Sequence, residues 1–171
     1  EAGIKRLPTA RRYAKLHRHL SLSRGDKRID LYPADCFKVS YSISFDHPLL
    51  RYQSRSIEIS GDTFVEEIAP ARTFGFLTDL ETLRARDLTL GGSLENAVVM
   101  DEYRVLNEDG LRFRDEFVRH KMLDAIGDLY LLGACLIGEF SGFKSGHDLN
   151  NALLRSLLDQ PQCYEEVIFE K

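Results

Sequence analysis

Apolar and polar residues alternate over residues 36–45, which is the pattern of a half-buried β-strand with a period of two. One face of this segment carries Phe37, Val39, Tyr41, Ile43 and Phe45. Pro48 ends the predicted strand, because proline cannot donate to the hydrogen-bond ladder. Residues 55–60 alternate in the same way and predict a partner strand.

A period of 3.6 residues over residues 115–133 predicts the longest helix of the chain. Its apolar stripe consists of Phe117, Val118, Met122, Leu123, Ile126, Leu129 and Leu132. The remaining predicted elements are helices over 63–71, 79–86 and 147–158, strands over 96–101 and 167–169, and a hairpin over 105–113. Because strands and helices occur in groups, we expect an α+β fold with an antiparallel sheet and helices packed on one face.

The length of 171 residues suits one domain that buries a sizeable core. Residues 1–22 are predicted to be a linker, because they contain Pro8 and show little apolar periodicity. The folded domain is therefore expected over residues 23–171.

Charge is distributed unevenly along the chain. The first 31 residues hold nine Lys and Arg against three acids, whereas the whole chain has a net charge of -4. A basic segment can bind nucleic acid or an anionic membrane surface. The acidic remainder argues against a dedicated nucleic-acid-binding module, which stays the least favoured alternative.

The number of cysteines and the hydropathy of the chain indicate in which cellular compartment the protein is expected. The cysteines Cys36, Cys135 and Cys163 are odd in number and lack CxxC spacing, so a reducing compartment such as the cytoplasm is expected. Cys135 is interpreted as a packing residue at an apolar helix end. We expect neither a signal peptide nor a transmembrane segment, since no apolar run approaches about 18 residues.

His120 and Asp124 lie four residues apart on the predicted long helix and therefore face the same way, one turn apart. An imidazole nitrogen and a carboxylate oxygen at this spacing can bind one divalent metal, and zinc accepts both ligand types. Asp128 continues the stripe by one turn, and Lys121 is placed to pair with a developing anion. Spacing alone favours a simpler interpretation, a solvated polar stripe on an amphipathic helix.

His147 follows the Ser145-Gly146 turn, where a helix begins. The helix dipole disfavours a cationic imidazole there, whereas a neighbouring carboxylate such as Asp128 would favour it. Such a histidine suits acid–base work near neutral pH. It could equally be a third zinc ligand or have no chemical role, and the residues alone leave these alternatives open.

Two further groups of residues could contact a substrate. The Thr73 hydroxyl can donate to an oxyanion, although Phe74 and Phe76 beside it are typical of plain core. Lys27 and Lys144 are predicted to be exposed cations that can meet phosphate. Single surface lysines usually have no such role.

Four stretches of the chain together carry a specific resemblance. They are FDHP at 45–48, ARTFGF at 71–76, LGGSLENAVVMDEYRVLNEDGLRFRDEFVRHKMLDAIGDLYLLG at 90–133 and FKSGHDLNN at 143–151. They resemble the UDP-3-O-acyl-N-acetylglucosamine deacetylases, zinc amidohydrolases that catalyse the committed step of bacterial lipid A synthesis. The resemblance runs from about residue 23 to the end, and the block at 90–133 is far more specific than any single motif within it.

The resemblance implies two domains of similar α+β fold that pack helix to helix around the zinc. This chain would be the second, with an inter-domain linker over 1–22 and a C-terminal catalytic domain over 23–171. The first domain of the family supplies a histidine ligand and a glutamate base, and neither is found in these residues. We expect the intact protein to be a cytoplasmic monomer whose substrate is UDP-3-O-acyl-N-acetylglucosamine.

Residue roles carry over position by position. His120 and Asp124 match the two zinc ligands. His147 matches the histidine taken as the general acid, and Asp128 matches the carboxylate that orients it. Thr73 matches the hydroxyl that stabilises the oxyanion.

The positions that match substrate contacts fall into separate groups. Lys121 matches an active-site lysine near the substrate phosphates. Near the uridine diphosphate, the resemblance places Lys27, Phe45 and Lys144. Residues 74–99 match the family's βαβ insert, a passage for the fatty acyl chain. The expected lining of this passage is Phe74, Phe76, Leu80, Gly92, Ala97 and Val99.

Other interpretations stay open at this point. The chain could be a non-catalytic domain that binds the nucleotide-lipid but lacks a complete zinc site. Iron(II) could replace zinc, because nitrogen and oxygen ligands accept both metals. The loop after Pro48 is short, which leaves the passage shape and the preferred acyl length open.

Overall fold

The computed structural model describes residues 3, 5, 9–79, 87 and 91–169. The strands of this described part are β1 (Arg12–Leu16), β2 (Leu20–Arg24), β3 (Lys27–Tyr32), β4 (Phe37–Ser44), β5 (Tyr52–Glu58), β6 (Thr73–Phe76), β7 (Ala97–Met100), β8 (Cys135–Phe143) and β9 (Tyr164–Ile168). Its helices are α1 (Gly61–Thr63), which continues as a π-helix over Phe64–Ile68, α2 (Glu116–Leu129), which continues as a 3-10 helix over Tyr130–Leu132, and α3 (His147–Leu158). A further 3-10 turn covers Pro161–Cys163.

β8 is the central strand of a seven-stranded mixed sheet. Its C-terminal half pairs with β3 in the antiparallel direction and with β4 in the parallel direction, and its N-terminal end pairs with β1 in parallel. The strands β2, β5 and β9 extend the sheet as antiparallel partners of β3, β4 and β1. The α+β fold class is confirmed, but the sheet is mixed rather than purely antiparallel.

The two long helices pack on one face of this sheet, and the core lies between the helices and the sheet. The buried apolar residues of α2 are Phe117, Val118, Met122, Ala125, Ile126 and Leu129. Those of α3 are Leu149, Leu153, Leu154 and Leu157. They meet the inward face of β4, where Val39, Tyr41 and Ile43 are buried as the alternation predicted. Each such side chain contributes roughly 1.5–3 kcal/mol by its removal from water, so this face fixes α2 above β4.

The central strand was absent from the sequence prediction, and its glycines explain why. A Cβ atom on Gly138 would lie 2.9 Å from Leu16 Cγ and 3.0 Å from the carbonyl oxygen of Tyr32. Alternation of glycine with Leu136 and Phe140 leaves no continuous apolar stripe to detect. Cys135 is therefore the first residue of β8 and not the end of a helix.

The N-terminal segment also differs from its prediction as a linker. Residues 12–16 form β1 between β8 and β9, and Ala14 and Leu16 are buried. Two of the five residues of β1, Arg12 and Lys15, are basic, and their charge obscured the strand pattern. The strand β2 likewise begins at Leu20, before the predicted boundary at residue 22.

Two shorter elements are formed differently from the prediction. The segment predicted as a helix over 63–71 begins earlier, because Ser60 and Thr63 form a reciprocal capping box, and it continues as a π-helix. In place of the predicted hairpin over 105–113, Val105 forms an isolated bridge with Met100. A turn then closes with a hydrogen bond from Gly110 N to Asn107 O at 3.0 Å.

A second, two-stranded sheet stands beside the first. It pairs β6 with β7 in parallel, with Thr73 opposite Ala97 and Phe76 opposite Met100. Most of the helix predicted over 79–86 lies outside the described residues, as does Leu80. Within the described part of the chain, no helix is long and apolar enough to cross a membrane.

Candidate functional site

A cavity of about 630 Å³ opens where the N-terminal end of α3, the middle of α2 and the strand β6 meet. The predicted site residues that line it are Lys27, Phe45, Thr73, Phe74, Phe76, His120, Lys121, Asp124, Lys144 and His147. Residues from distant parts of the sequence therefore meet at one place. The lining also includes Asp26, Ser44, Gly75, Asp79 and Ser145, which the sequence analysis did not select.

The middle of α2 brings His120 and Asp124 together, as their four-residue spacing predicted. His120 Nε2 lies 3.4 Å from Asp124 Oδ1. Lys121 Nζ donates to the other carboxylate oxygen of Asp124 at 2.7 Å. All three side chains are largely covered, so the pair is partly desolvated and its charges are screened less than on an open surface.

The second nitrogen of the His120 ring contacts the backbone of a neighbouring segment. His120 Nδ1 lies 3.2 Å from the carbonyl oxygen of Ala71. A carbonyl oxygen accepts only, so the ring donates from Nδ1, and Nε2 is the nitrogen that faces Asp124. The edge of the Phe74 ring packs against the imidazole with 6.3 Å between ring centres, which restricts its rotation.

A second histidine–carboxylate pair joins Asp128, one turn further along α2, to His147, the first residue of α3. His147 Nδ1 lies 3.0 Å and 2.9 Å from the two carboxylate oxygens of Asp128. Asn150 Nδ2 donates to Asp128 at 2.8 Å, from one turn into α3. The side chain of His147 is 67% exposed, whereas that of Asp128 is 16% exposed. A covered carboxylate therefore holds an exposed imidazole and leaves its Nε2 available to a substrate.

Tyr41, a buried tyrosine of β4, contacts the loop before α3 through its hydroxyl group. The Tyr41 hydroxyl donates to the Ser145 carbonyl oxygen at 2.6 Å and lies 2.7 Å from Ser145 Oγ. Burial raises the pKa of Tyr41 to about 12, and the charges of Asp124 and Asp128 act in the same direction. The phenol is therefore a fixed neutral donor that positions the start of α3.

Aromatic rings form one wall of the cavity. Phe45 contacts Phe74 and Phe76 edge-on, with ring centres 5.8 Å and 6.0 Å apart. Phe74 in turn packs on the buried Phe117 with ring centres 5.0 Å apart. Thr73, which precedes these rings on β6, is exposed and lines the same cavity. The wall can hold an apolar group next to polar chemistry.

Two lysines also line the cavity, Lys27 and Lys144. Lys144 Nζ donates to Asp26 Oδ2 at 2.7 Å, and this hydrogen bond lowers the pKa of Asp26. Lys144 has a φ of 51°, a left-handed conformation that is costly for a residue with a side chain. Lys27 follows Asp26 as the first residue of β3 and pairs with Arg24 across the turn. Both lysines line the cavity, but the Lys144 ammonium is paired with Asp26 and is only partly exposed.

Some predicted site residues lie elsewhere. Ala97 and Val99 belong to β7, the partner strand of β6, and Gly92 lies in an exposed turn before it. These three are not among the lining residues of the cavity within the described part of the chain. Leu80 lies outside the described residues.

Several residues that hold the site escaped the sequence analysis. Asn150 lies three residues after His147, a helical spacing that could have indicated a shared partner. Asp26 precedes Lys27, and its pairing with Lys144 depends on the antiparallel match of β3 with β8. Tyr41 was identified only as a core position, and the sequence carries no signal of its contact with Ser145.

His120 and Asp124 offer one nitrogen and one oxygen ligand for a metal such as zinc, and the carbonyl contact of Nδ1 leaves Nε2 free for coordination. The donor types fit zinc, but its tetrahedral sites take more ligands than this pair supplies. Among the described residues, no group of three or more His, Cys, Asp or Glu side chains could hold a metal ion. Any complete site therefore requires ligands from beyond this group.

The fold and cavity together define an α+β domain with one histidine–carboxylate pair on α2 and a second that joins α2 to the start of α3. The family model described as "UDP-3-O-acyl N-acetylglycosamine deacetylase" matches residues 1–159, and the chain belongs to this family. It is 57% identical over 171 residues to a protein of Alcanivorax borkumensis named UDP-3-O-acyl-N-acetylglucosamine deacetylase, with 99% of this chain and 56% of that protein covered. A protein of Marinobacter nauticus with the same name is 53% identical, with the same shares covered. The chain spans about half the length of these curated relatives.

Proposed function

We propose that this chain forms part of a zinc-dependent deacetylase that acts on UDP-3-O-((R)-3-hydroxyacyl)-N-acetylglucosamine. The reaction breaks the acetamide C–N bond with water and yields acetate and the free amine, the committed step of lipid A biosynthesis. The observation that carries the proposal is that His120, Asp124 and His147 line one cavity, with Asp128 paired to His147, in a chain of this family.

His120 Nε2 and a carboxylate oxygen of Asp124 would be this chain's two ligands to zinc. Zinc bound there would activate a water molecule and polarise the acetamide carbonyl. Lys121 holds one oxygen of Asp124 and fixes the carboxylate for this role. The remaining protein ligand and the glutamate that takes the water proton would come from another part of the intact protein.

His147 is the proposed general acid. As an imidazolium it would give the proton on Nε2 to the departing amine nitrogen, while Asp128 stabilises the cation through Nδ1. The Thr73 hydroxyl would donate to the oxyanion of the tetrahedral intermediate. A base that must be ionised and an acid that must be protonated predict a bell-shaped dependence of kcat/KM on pH.

The walls of the cavity suit the two ends of this substrate. Lys27 and Lys144 would pair with the diphosphate, and Lys121 would approach it from α2. The rings of Phe45, Phe74 and Phe76 would contact the uridine and the beginning of the acyl chain. The parallel β6–β7 unit belongs to the segment proposed as the acyl passage, with Ala97, Val99 and Gly92 further along it.

A second candidate is a non-catalytic domain that binds the same nucleotide-lipid. The observation that favours it is the small donor set: within the described residues, His120 and Asp124 supply only two ligands. Iron(II) is a second candidate metal for the same nitrogen and oxygen donors. For either metal we propose a cytoplasmic, monomeric protein.

The roles of the two histidines can be separated in the complete gene product that contains this chain. His147→Ala should lower kcat/KM by about 10²- to 10⁴-fold, the range of general acid catalysis, and leave the zinc content unchanged. His120→Ala should lower the zinc content and the activity together. Metal analysis and acetate release measure the two outcomes. Loss of zinc from His147→Ala would contradict the acid role and favour a ligand role.

A further inference from the structure

We propose that Glu116 is a positioning residue for His120 and that it acts through the peptide bond between Ala71 and Arg72. The contacts of this peptide are observed in the structure. Their effect on metal binding rests on the proposed function. Glu116 lies one helical turn before His120 on α2, and both side chains reach the segment that leads into β6.

A single peptide group joins the two side chains. Its carbonyl oxygen, which belongs to Ala71, lies 3.2 Å from His120 Nδ1. Its N–H, which belongs to Arg72, donates to Glu116 Oε1 at 3.0 Å. The peptide is thus held at both ends by α2, and neither end can turn without breaking a hydrogen bond.

Glu116 is fully buried, and its surroundings keep it charged. It accepts from Arg72 Nε at 2.9 Å, from Arg72 Nη2 at 3.2 Å and from the backbone N–H of Arg112 at 2.7 Å. Burial by itself raises the pKa of Glu116, but these hydrogen bonds outweigh it and hold the pKa below its ordinary value. The group that accepts from the peptide is therefore a carboxylate.

A carboxylate at the N–H end strengthens the hydrogen bond at the carbonyl end. Charge-assisted hydrogen bonds are the strong ones, and successive hydrogen bonds polarise one another. The Ala71 oxygen becomes a better acceptor, which favours the His120 tautomer with its proton on Nδ1 and the lone pair on Nε2. Groups that hold the second nitrogen of a metal-binding histidine commonly govern metal affinity by about 10- to 100-fold.

The experiment uses the complete gene product with ¹⁵N-labelled histidine. In the metal-free wild-type protein, NMR should show His120 as the tautomer protonated on Nδ1. In Glu116→Gln, this population should fall, and the dissociation constant for zinc, measured by competition with a chelator, should rise about 10- to 100-fold. The tautomer of the wild-type protein tests the proposal even where Glu116→Gln fails to fold.

Asp115→Asn is the matched control. Asp115 is the neighbouring carboxylate; it accepts from Arg119 at 2.7 Å and from Arg55 at 3.1 Å, and neither bond involves the 71–72 peptide. This variant should keep the tautomer and the zinc affinity of the wild type. A wild-type ring protonated on Nε2, an unchanged Glu116→Gln, or equal effects of both variants would each overturn the proposal. If the wild type binds no zinc, the proposed function fails, while the tautomer still decides the role of Glu116.

Discussion

Tyr41 shows how one buried polar group organises the candidate site. Its ring is 1% exposed in the core, yet its hydroxyl reaches Ser145, two residues before His147. A single β4 residue thus links the sheet to the loop that presents the proposed acid. Because its pKa is raised to about 12, the folded state favours the neutral phenol.

This raised pKa predicts an alkaline limit to stability. The unfolded phenol loses its proton near pH 10 and the folded one near pH 12, so the stabilisation is complete below pH 10. Between pH 10 and 12 the free energy of unfolding should fall by about 2–3 kcal/mol. In Tyr41→Phe, this contribution to the fall of the free energy of unfolding with pH should disappear. Denaturant unfolding at a series of pH values measures it, and Tyr103→Phe, at a highly exposed tyrosine, serves as the control that keeps the slope.

The sequence predicts side chains that share a helix, because helical geometry is local. The i, i+4 spacing of His120 and Asp124 predicted their proximity, and Asp128 continued the same face. The contact of His120 with Ala71 was beyond this reasoning, since it depends on where a distant segment crosses α2. The same holds for the contact between Tyr41 and Ser145.

At the scale of elements, β8 determines how the parts of the site meet. It lies between β3 and β4, and its last residue leads directly into the loop with Lys144 and His147. Long-range pairing of this kind cannot be deduced from local periodicity. The helices and the strand β4 were predicted because each shows its own period, whereas β8 contains two glycines and β1 is short and includes two basic residues.

The glycine at the centre of β8 leads to a stability prediction. Gly138→Ala should destabilise the chain by about 1–3 kcal/mol, because the added methyl meets Leu16 and a backbone oxygen that cannot move aside. Gly127→Ala is the control, at an exposed position within α2 where nothing lies within 4 Å of the added atom. It should stabilise the helix by about 1 kcal/mol. Thermal unfolding distinguishes the two, and equal effects would contradict the packing explanation.

Asp30 is a buried carboxylate on β3, and it predicts how the stability of the fold changes at acidic pH. Hydrogen bonds from Arg28 lower the pKa of Asp30 well below its ordinary value, and a hydrogen bond from His19 adds to the effect against the opposing influence of burial. Asp30 therefore stabilises the fold above about pH 4, and this stabilisation is lost as the pH falls towards the folded pKa. Asp30→Asn should be less stable at neutral pH and should show a flatter acid-side profile. A profile parallel to that of the wild type would contradict this assignment.

At the scale of the molecule, the sheet supports the helices, and the candidate site lies where the middle of α2, the start of α3 and β6 meet. The proposed ligands and the proposed acid come from α2 and α3, the two lysines from the start of β3 and the loop after β8, and the aromatic wall from β6 and the residue that follows β4. The α+β class followed from the grouping of elements, but the mixed strand order required the structure. The chain spans about half the length of the curated relatives it matches, and we propose that residues outside it complete the metal site.

The most direct measurement compares zinc content and acetate release in two samples. One is this chain alone, and the other is the chain joined to the coding sequence that precedes it. We predict that the joined protein holds about one zinc ion and deacetylates the nucleotide-lipid, and that the chain alone does neither. Tight zinc binding and turnover by the chain alone would contradict the proposed division of ligands, and inactivity of both would favour the binding domain.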